Sequence, residues 1–207
     1  MVKDIFKGGN QYRSGWLARL QSNILIPVWP YKYDPEKAKA LLKEAGVSDV
    51  KFKLAIVTGD AEMEGVAVVL QDAFKEVGVE MEIEADRRSF FEGLGKRSHQ
   101  AWMRSVLNYV DDPFYHLFLW YKTDTVINWF KYSNKRIDEI TDLLATELDP
   151  AKRKELSSEV QKIINQEAPA LYVGEPNVLL AMRNDVTGYV LEPDHLLSFY
   201  EMCREKK

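Results

Sequence analysis

Residues 51–85 spell out a strand, a helix and a second strand, and that run limits what the chain can fold into more than any other part of it. The apolar stretch "LAIV" is followed by Thr58, Gly59 and Asp60, a turn and a capping residue. A helix is then predicted over Ala61–Val77. Val66, Val69, Leu70, Ala73, Phe74 and Val77 recur there at i, i+3, i+4, i+7, i+8 and i+11, which is one face of an α-helix. Gly78 supplies its stop. In "GVEMEIEAD", Met81 and Ile83 alternate with Glu80, Glu82 and Glu84, so one side of the strand packs and the other faces water. Two strands joined through a helix of this length pair in parallel with a right-handed crossover, which places the chain among α/β proteins.

A similar unit precedes this one. Asp34 is a good N-cap, Pro35 suits the first helical position, and Ala38, Leu41, Leu42 and Ala45 fall on one face. Gly46 ends this predicted helix, Pro35–Ala45, and the first strand follows. Further on, Ala101–Leu107 reads as a strand. Asp112-Pro113 opens another helix, with Phe114, Phe118 and Tyr121 along its packed face. Asp149-Pro150 opens a later one. Ile137, Ile140 and Leu144 share one face, and Leu156, Val160, Ile163 and Ile164 form the next buried stripe. "APALYVG", "NVLLAMR" and "VTGYVL" read as short strands. Before all of this, residues 1–30 form an irregular lead-in. Val2, Ile5 and Phe6 suggest a helical turn in it, halted at Gly8-Gly9.

Chemistry-bearing motifs are sparse. The 207 residues carry a net charge of −4, which gives no general attraction to nucleic acid or to anionic membrane. His99, His116 and His195 lie far apart, with no His-x-x-x-His or Cys-x-x-Cys spacing, and read as surface or capping histidines rather than zinc ligands. Cys203 is the single cysteine and sits in a charged tail. "FEGLGKRS" is only superficially like a phosphate loop, and no cofactor is expected. No apolar run approaches the roughly 20 residues of a membrane span, and the first ten residues lack the apolar core of a signal peptide. Asp111 and Asp112 are adjacent carboxylates, for which helix capping by Asp112 outweighs an acid/base pair. Nine aromatic residues crowd between Trp102 and Phe130. Most of them suit a core, but Trp102–Tyr115 straddles a strand end and the turn after it, where open α/β sheets bind ligands.

Several segments resemble one family in order and spacing. "YKYDPEKAKALLKEAGV", "LAIVTGDAEMEGVAVVLQDAFKEVGVEMEI", "NYVDDPFYHLFLWY", "YSNKRIDEITDLLATELDPAKRKELSSEVQKIINQEAPALYV" and "VTGYVLEPD" are similar to successive segments of the family 5 extracellular solute-binding proteins, the cleft receptors of ABC importers. The resemblance implies an α/β periplasmic-binding-protein-like lobe, with a mixed, mostly parallel sheet flanked by helices and a strand-rich C-terminal tail. It implies a lead-in at 1–30, the C-terminal ligand-binding lobe at 31–168, and a tail at 169–207 that returns to a first lobe lying outside this sequence. It implies a non-catalytic receptor, periplasmic or extracellular and membrane-associated in its full-length form. Its partners would be a small peptide or oligosaccharide, the permease subunits and the N-terminal lobe, with no nucleic acid.

Trp102, Arg104, Asn108, Tyr109, Asp111 and Tyr115 are the implied ligand contacts. Where peptide-binding members hold the ligand's α-ammonium with an aspartate, the alignment on Tyr109 places Asn108, whose amide cannot neutralise that charge. Asp111 then substitutes for it, or the ligand is uncharged, as a sugar is. One lobe holds half of a cleft, so the isolated chain is expected to bind peptides or sugars negligibly. Strands that normally pair across lobes would be exposed edges, giving homodimers of the chain. Two readings of another class compete: a cytosolic α/β enzyme using Asp111 and Asp112 in a self-contained pocket, and a stand-alone interaction module without one.

Overall fold

The computed structural model describes residues 31–106, 110, 112–173, 181–189 and 200–204. The lead-in at 1–30 and its expected helical turn lie outside the described residues, as does most of "NVLLAMR".

The helix boundaries follow from side-chain chemistry. Ahead of α1 (Pro35–Glu44), Asp34 Oδ1 accepts from the Lys37 amide at 2.9 Å. Ahead of α2 (Ala61–Glu76), Asp60 Oδ1 accepts from the Met63 amide at 3.0 Å. Each carboxylate takes an amide that the first helical turn leaves without a carbonyl partner. Gly46 (φ +67°) and Gly78 (φ +81°) then turn the chain out through the left-handed region, which costs a glycine little.

β1 (Lys51–Ile56) lies between β2 (Glu80–Ala85) and β3 (Ala101–Trp102), and both pairings are parallel. Leu54 stands opposite Ile83 on one side and Ala101 on the other. Leu54 and Ile56 pack under α2 with Met63, Ala67 and Met81. Ala55 clusters instead with Phe90 and Leu94 of α3 (Arg87–Lys96). The middle strand is therefore covered on both faces, which is why its sequence is a continuous apolar run. The glutamates of β2 face β1 lysines, with ion pairs Lys51–Glu80 at 2.6 Å and Lys53–Glu82 at 3.2 Å. All four side chains are more than half exposed, so these pairs set register more than they add stability.

Three sequence expectations are corrected here. "FEGLGKRS", only superficially like a phosphate loop, is helical as far as Lys96, within α3, which is opened by Asp86, whose Oδ1 accepts from the Ser89 amide at 2.6 Å. The expected strand Ala101–Leu107 shrinks to Ala101–Trp102 among the described residues, since β1 ends at Ile56 and the Met103 amide, donating to Ala55 O at 3.0 Å, makes the final rung. The apolar face of α1 is not buried: Ala38 and Leu42 are half-buried, and Leu41 is 55% exposed. Residues 169–173 of "APALYVG" form no strand.

The second layer is helical. α4 (Pro113–His116) runs directly into a π-helical turn, Leu117–Tyr121, closed where the Lys122 amide donates to Leu117 O at 2.9 Å. α5 (Lys135–Leu144) and α6 (Pro150–Glu167) pack against it. Leu117, Tyr121, Ile137, Ile140, Leu144, Val160 and Ile164 form the core between them. The face expected at Phe114, Phe118 and Tyr121 is shifted. The wide turn inserts Leu117 and Tyr121 into the core and leaves Phe118 at 40% exposure. His116, read as a surface or capping histidine, is buried within this layer, where the loss of solvent lowers its pKa to about 4. A separate two-stranded antiparallel ribbon joins β4 (Val186–Thr187) to β5 (Cys203–Arg204).

Candidate functional site

β1, β2 and β3 run parallel, so their carboxyl ends share one edge of the sheet, the place where α/β sheets of this kind hold ligands. Trp102 ends β3 at that edge. The chain that follows carries Arg104, and a loop between the π-turn and α5 carries Trp129. Trp129 is the hub. Its ring lies 6.0 Å from that of Trp102 at 71° and 5.5 Å from that of Trp120 at 88°, both edge-to-face. The Arg104 guanidinium carbon lies 5.4 Å from the centre of the Trp129 ring. Phe130 extends the cluster, 6.1 Å from Trp102. Edge-to-face pairs contribute about 0.5–1.5 kcal/mol each beyond their buried area, and an exposed cation over a ring about 0.5–1 kcal/mol. The wall is thus self-supporting, yet Trp102, Arg104, Trp120, Trp129 and Phe130 are all only half-buried. It offers flat apolar faces with a fixed cation beside them, a surface suited to planar groups and to carboxylates.

Of the expected contacts, Trp102 and Arg104 meet at this wall. Tyr115 sits apart on α4, its ring edge-on to His116 at 5.5 Å, and among the described residues no ring contact joins it to the wall. Asn108, Tyr109 and Asp111 lie outside the described residues. Trp120 and Trp129 were legible as aromatics but not as members of one constellation, because the residues that bring them together are a π-turn and an irregular loop.

Asp112 resolves the question its position raised. Its Oδ1 accepts from the Phe114 amide at 2.8 Å, capping α4. Arg153 Nη2 donates to Oδ1 at 2.7 Å and to Oδ2 at 2.6 Å. The same guanidinium uses Nη1 to reach Leu144 O at 2.7 Å and Glu147 O at 2.9 Å. Both carboxylate oxygens are occupied by structural partners, so Asp112 anchors the turn to α6 and is not available as half of an acid/base pair. Among the described residues, no group of three or more His, Cys, Asp or Glu side chains is placed to hold a metal ion, and no helix is long and apolar enough to cross a membrane.

Residues 1–128 match the family model described as bacterial extracellular solute-binding proteins, family 5 Middle. The dipeptide-binding protein of Escherichia coli (strain K12) is 29% identical over 203 residues, 93% of this chain and 38% of that protein. Among solved structures, the periplasmic binding protein DppA from Helicobacter pylori in complex with peptide STSA superposes with a TM-score of 0.85 at 22% identity, covering 99% of this chain and 41% of that one. NikA from Staphylococcus aureus in complex with Ni(L-His)2 superposes with a TM-score of 0.82 at 24% identity, covering 99% and 45%. The chain spans less than half the length of each of the three.

Proposed function

The chain belongs to the family 5 bacterial extracellular solute-binding proteins, and on that premise we propose that it carries one jaw of a non-catalytic cleft receptor delivering short peptides to an ABC importer outside the cytoplasmic membrane. The observation that carries this reading is the half-buried wall of Trp102, Trp129 and Arg104 at the carboxyl edge of the parallel sheet. Planar indoles suit peptide planes and apolar side chains, and the guanidinium suits a terminal carboxylate. The jaw would comprise residues 31–168, with 169–207 returning to the partner lobe. The segment between Trp102 and α4, with Asn108, Tyr109 and Asp111, would complete the contacts. Similarity to a dipeptide-binding protein and to a peptide-bound DppA supports peptides as the ligand class. The NikA likeness makes a metal held by amino acids the second choice, and nothing supports an oligosaccharide.

The test is calorimetric titration of the chain with a tripeptide, with nickel–histidine and with a trisaccharide. One jaw of a cleft loses half the contacts, so the tripeptide should bind, but with a Kd weaker than ~100 μM. Tighter binding of the trisaccharide would overturn the ligand class. Micromolar binding by this chain alone would overturn the one-jaw reading.

A further inference from the structure

We propose that Asn128 is the positioning residue of the aromatic wall, fixing the loop that presents Trp129; its importance to ligand binding rests on the receptor reading above, but its geometry does not.

Asn128 is 1% exposed and lies directly before Trp129. Its Nδ2 donates to Lys122 O at 3.1 Å and to Tyr132 O at 2.6 Å, and its Oδ1 accepts from the Tyr132 amide at 3.0 Å. One amide side chain thereby ties both ends of the 122–132 loop together. The loop needs such a tie. It passes through two non-glycine residues in the left-handed region, Asp124 at φ +62° and Lys131 at φ +55°, which persist only where the surroundings impose them. The closure also reaches the π-turn. Lys122 O accepts from both Asn128 and the Thr125 hydroxyl, which in addition donates to Leu119 O at 2.9 Å. Arg97, at the end of α3, donates to Thr125 O at 2.8 Å and so links the loop to the sheet layer. Trp129 and Trp120 therefore meet because Asn128 fixes the loop on one side and the π-turn on the other.

Only a side chain with an amide's paired donor and acceptor does this. Asn128→Asp keeps the acceptor for the Tyr132 amide but sets a carboxylate oxygen against two carbonyl oxygens. Protonating that carboxyl restores one donor, and burial raises the pH at which this happens. The charged and titratable groups in and around the loop are Asp124 and Lys131 within it, Lys122 paired with Asp142, Arg97 on Thr125 O, Asp138, which accepts from the Thr123 amide, and Tyr132, whose hydroxyl is bonded to Glu167. All are present in the wild type, which serves as the control.

The indole Nε1–H resonances of the ligand-free chain are read at pH 7.5 and pH 5. In Asn128→Asp the Trp129 resonance should move toward that of free tryptophan at pH 7.5 and return at pH 5, while the wild-type resonance holds at both. A Trp129 resonance unmoved at pH 7.5 would overturn the proposal. So would one that stays displaced at pH 5 in a chain whose far-ultraviolet circular dichroism is native. If the variant fails to fold at either pH, amide exchange of the wild type decides. Protection of the Tyr132 amide by ~100-fold or more supports the tie, and exchange at the open-chain rate refutes it. These readouts use no ligand. The receptor reading fails separately, when a wild-type chain with its Trp129 resonance in place shows no shift on addition of a tripeptide.

Discussion

Replacing Asp112 by alanine removes two distinct interactions, and their sizes can be separated. The first is the cap: the Phe114 amide loses its acceptor at the start of α4, a loss of about 1 kcal/mol. The second is the pair with Arg153. Its geometry is good, but the Asp112 side chain is 41% exposed and that of Arg153 22%, so solvent screening holds it to about 1 kcal/mol. The sum is about 2 kcal/mol, or about 4–8 °C in Tm for a domain of this size. Asn is as good a cap as Asp, so Asp112→Asn should cost only the charge, about 1 kcal/mol. Urea unfolding followed by circular dichroism gives both values, and Arg153→Met with the double variant gives the coupling. Equal losses in Asp112→Ala and Asp112→Asn would refute the separation. No loss in either would refute the anchoring role altogether.

Three further outcomes follow from the buried layers. His116 has its pKa lowered from 6.5 to about 4 by burial, so the unfolded chain binds a proton that the folded chain rejects between these values. Its neutral, folded form is favoured above pH 6.5, and that advantage shrinks as pH falls toward 4. Between pH 7.5 and pH 5 the wild type should lose about 2 kcal/mol more than His116→Gln, measured by urea unfolding at each pH. Gly93→Ala places a β-carbon 2.2 Å from His99 Nε2, which donates to Phe90 O at 2.9 Å, so it should displace the ring and cost about 1–3 kcal/mol in thermal denaturation. Ile140→Ala, fully buried between α5 and α6, should cost about 2–5 kcal/mol by urea unfolding, well above Leu41→Ala on the exposed face of α1.

The helices were readable because each announces itself locally. Asp34, Asp60 and Asp149 cap where the sequence says, and the stripes Ile137, Ile140, Leu144 and Val160, Ile164 are buried. The parallel β1–β2 pairing followed from connection length and from the alternation in "EMEIE". The errors arose where local pattern is silent. A strand's length depends on where its neighbour ends, which Ala101–Trp102 shows. The face presented by Phe118 depends on a π-turn, which has no period of its own. The site was half legible for the same reason. Trp102 and Arg104 sit on a recognisable strand end, whereas Trp129 reaches them through a loop whose ends a buried amide ties together, and no spacing rule marks that amide.

The central claim is that the wall at the carboxyl edge of the sheet is the face that meets ligand. The most direct measurement is a residue-resolved titration of the chain with a tripeptide, following the indole Nε1–H signals and the Arg104 Nε–H signal. The account predicts saturable shifts of Trp102, Trp129 and Arg104 that disappear together in Trp102→Ala. Shifts confined to residues away from this edge, in a chain that binds the peptide, would contradict it.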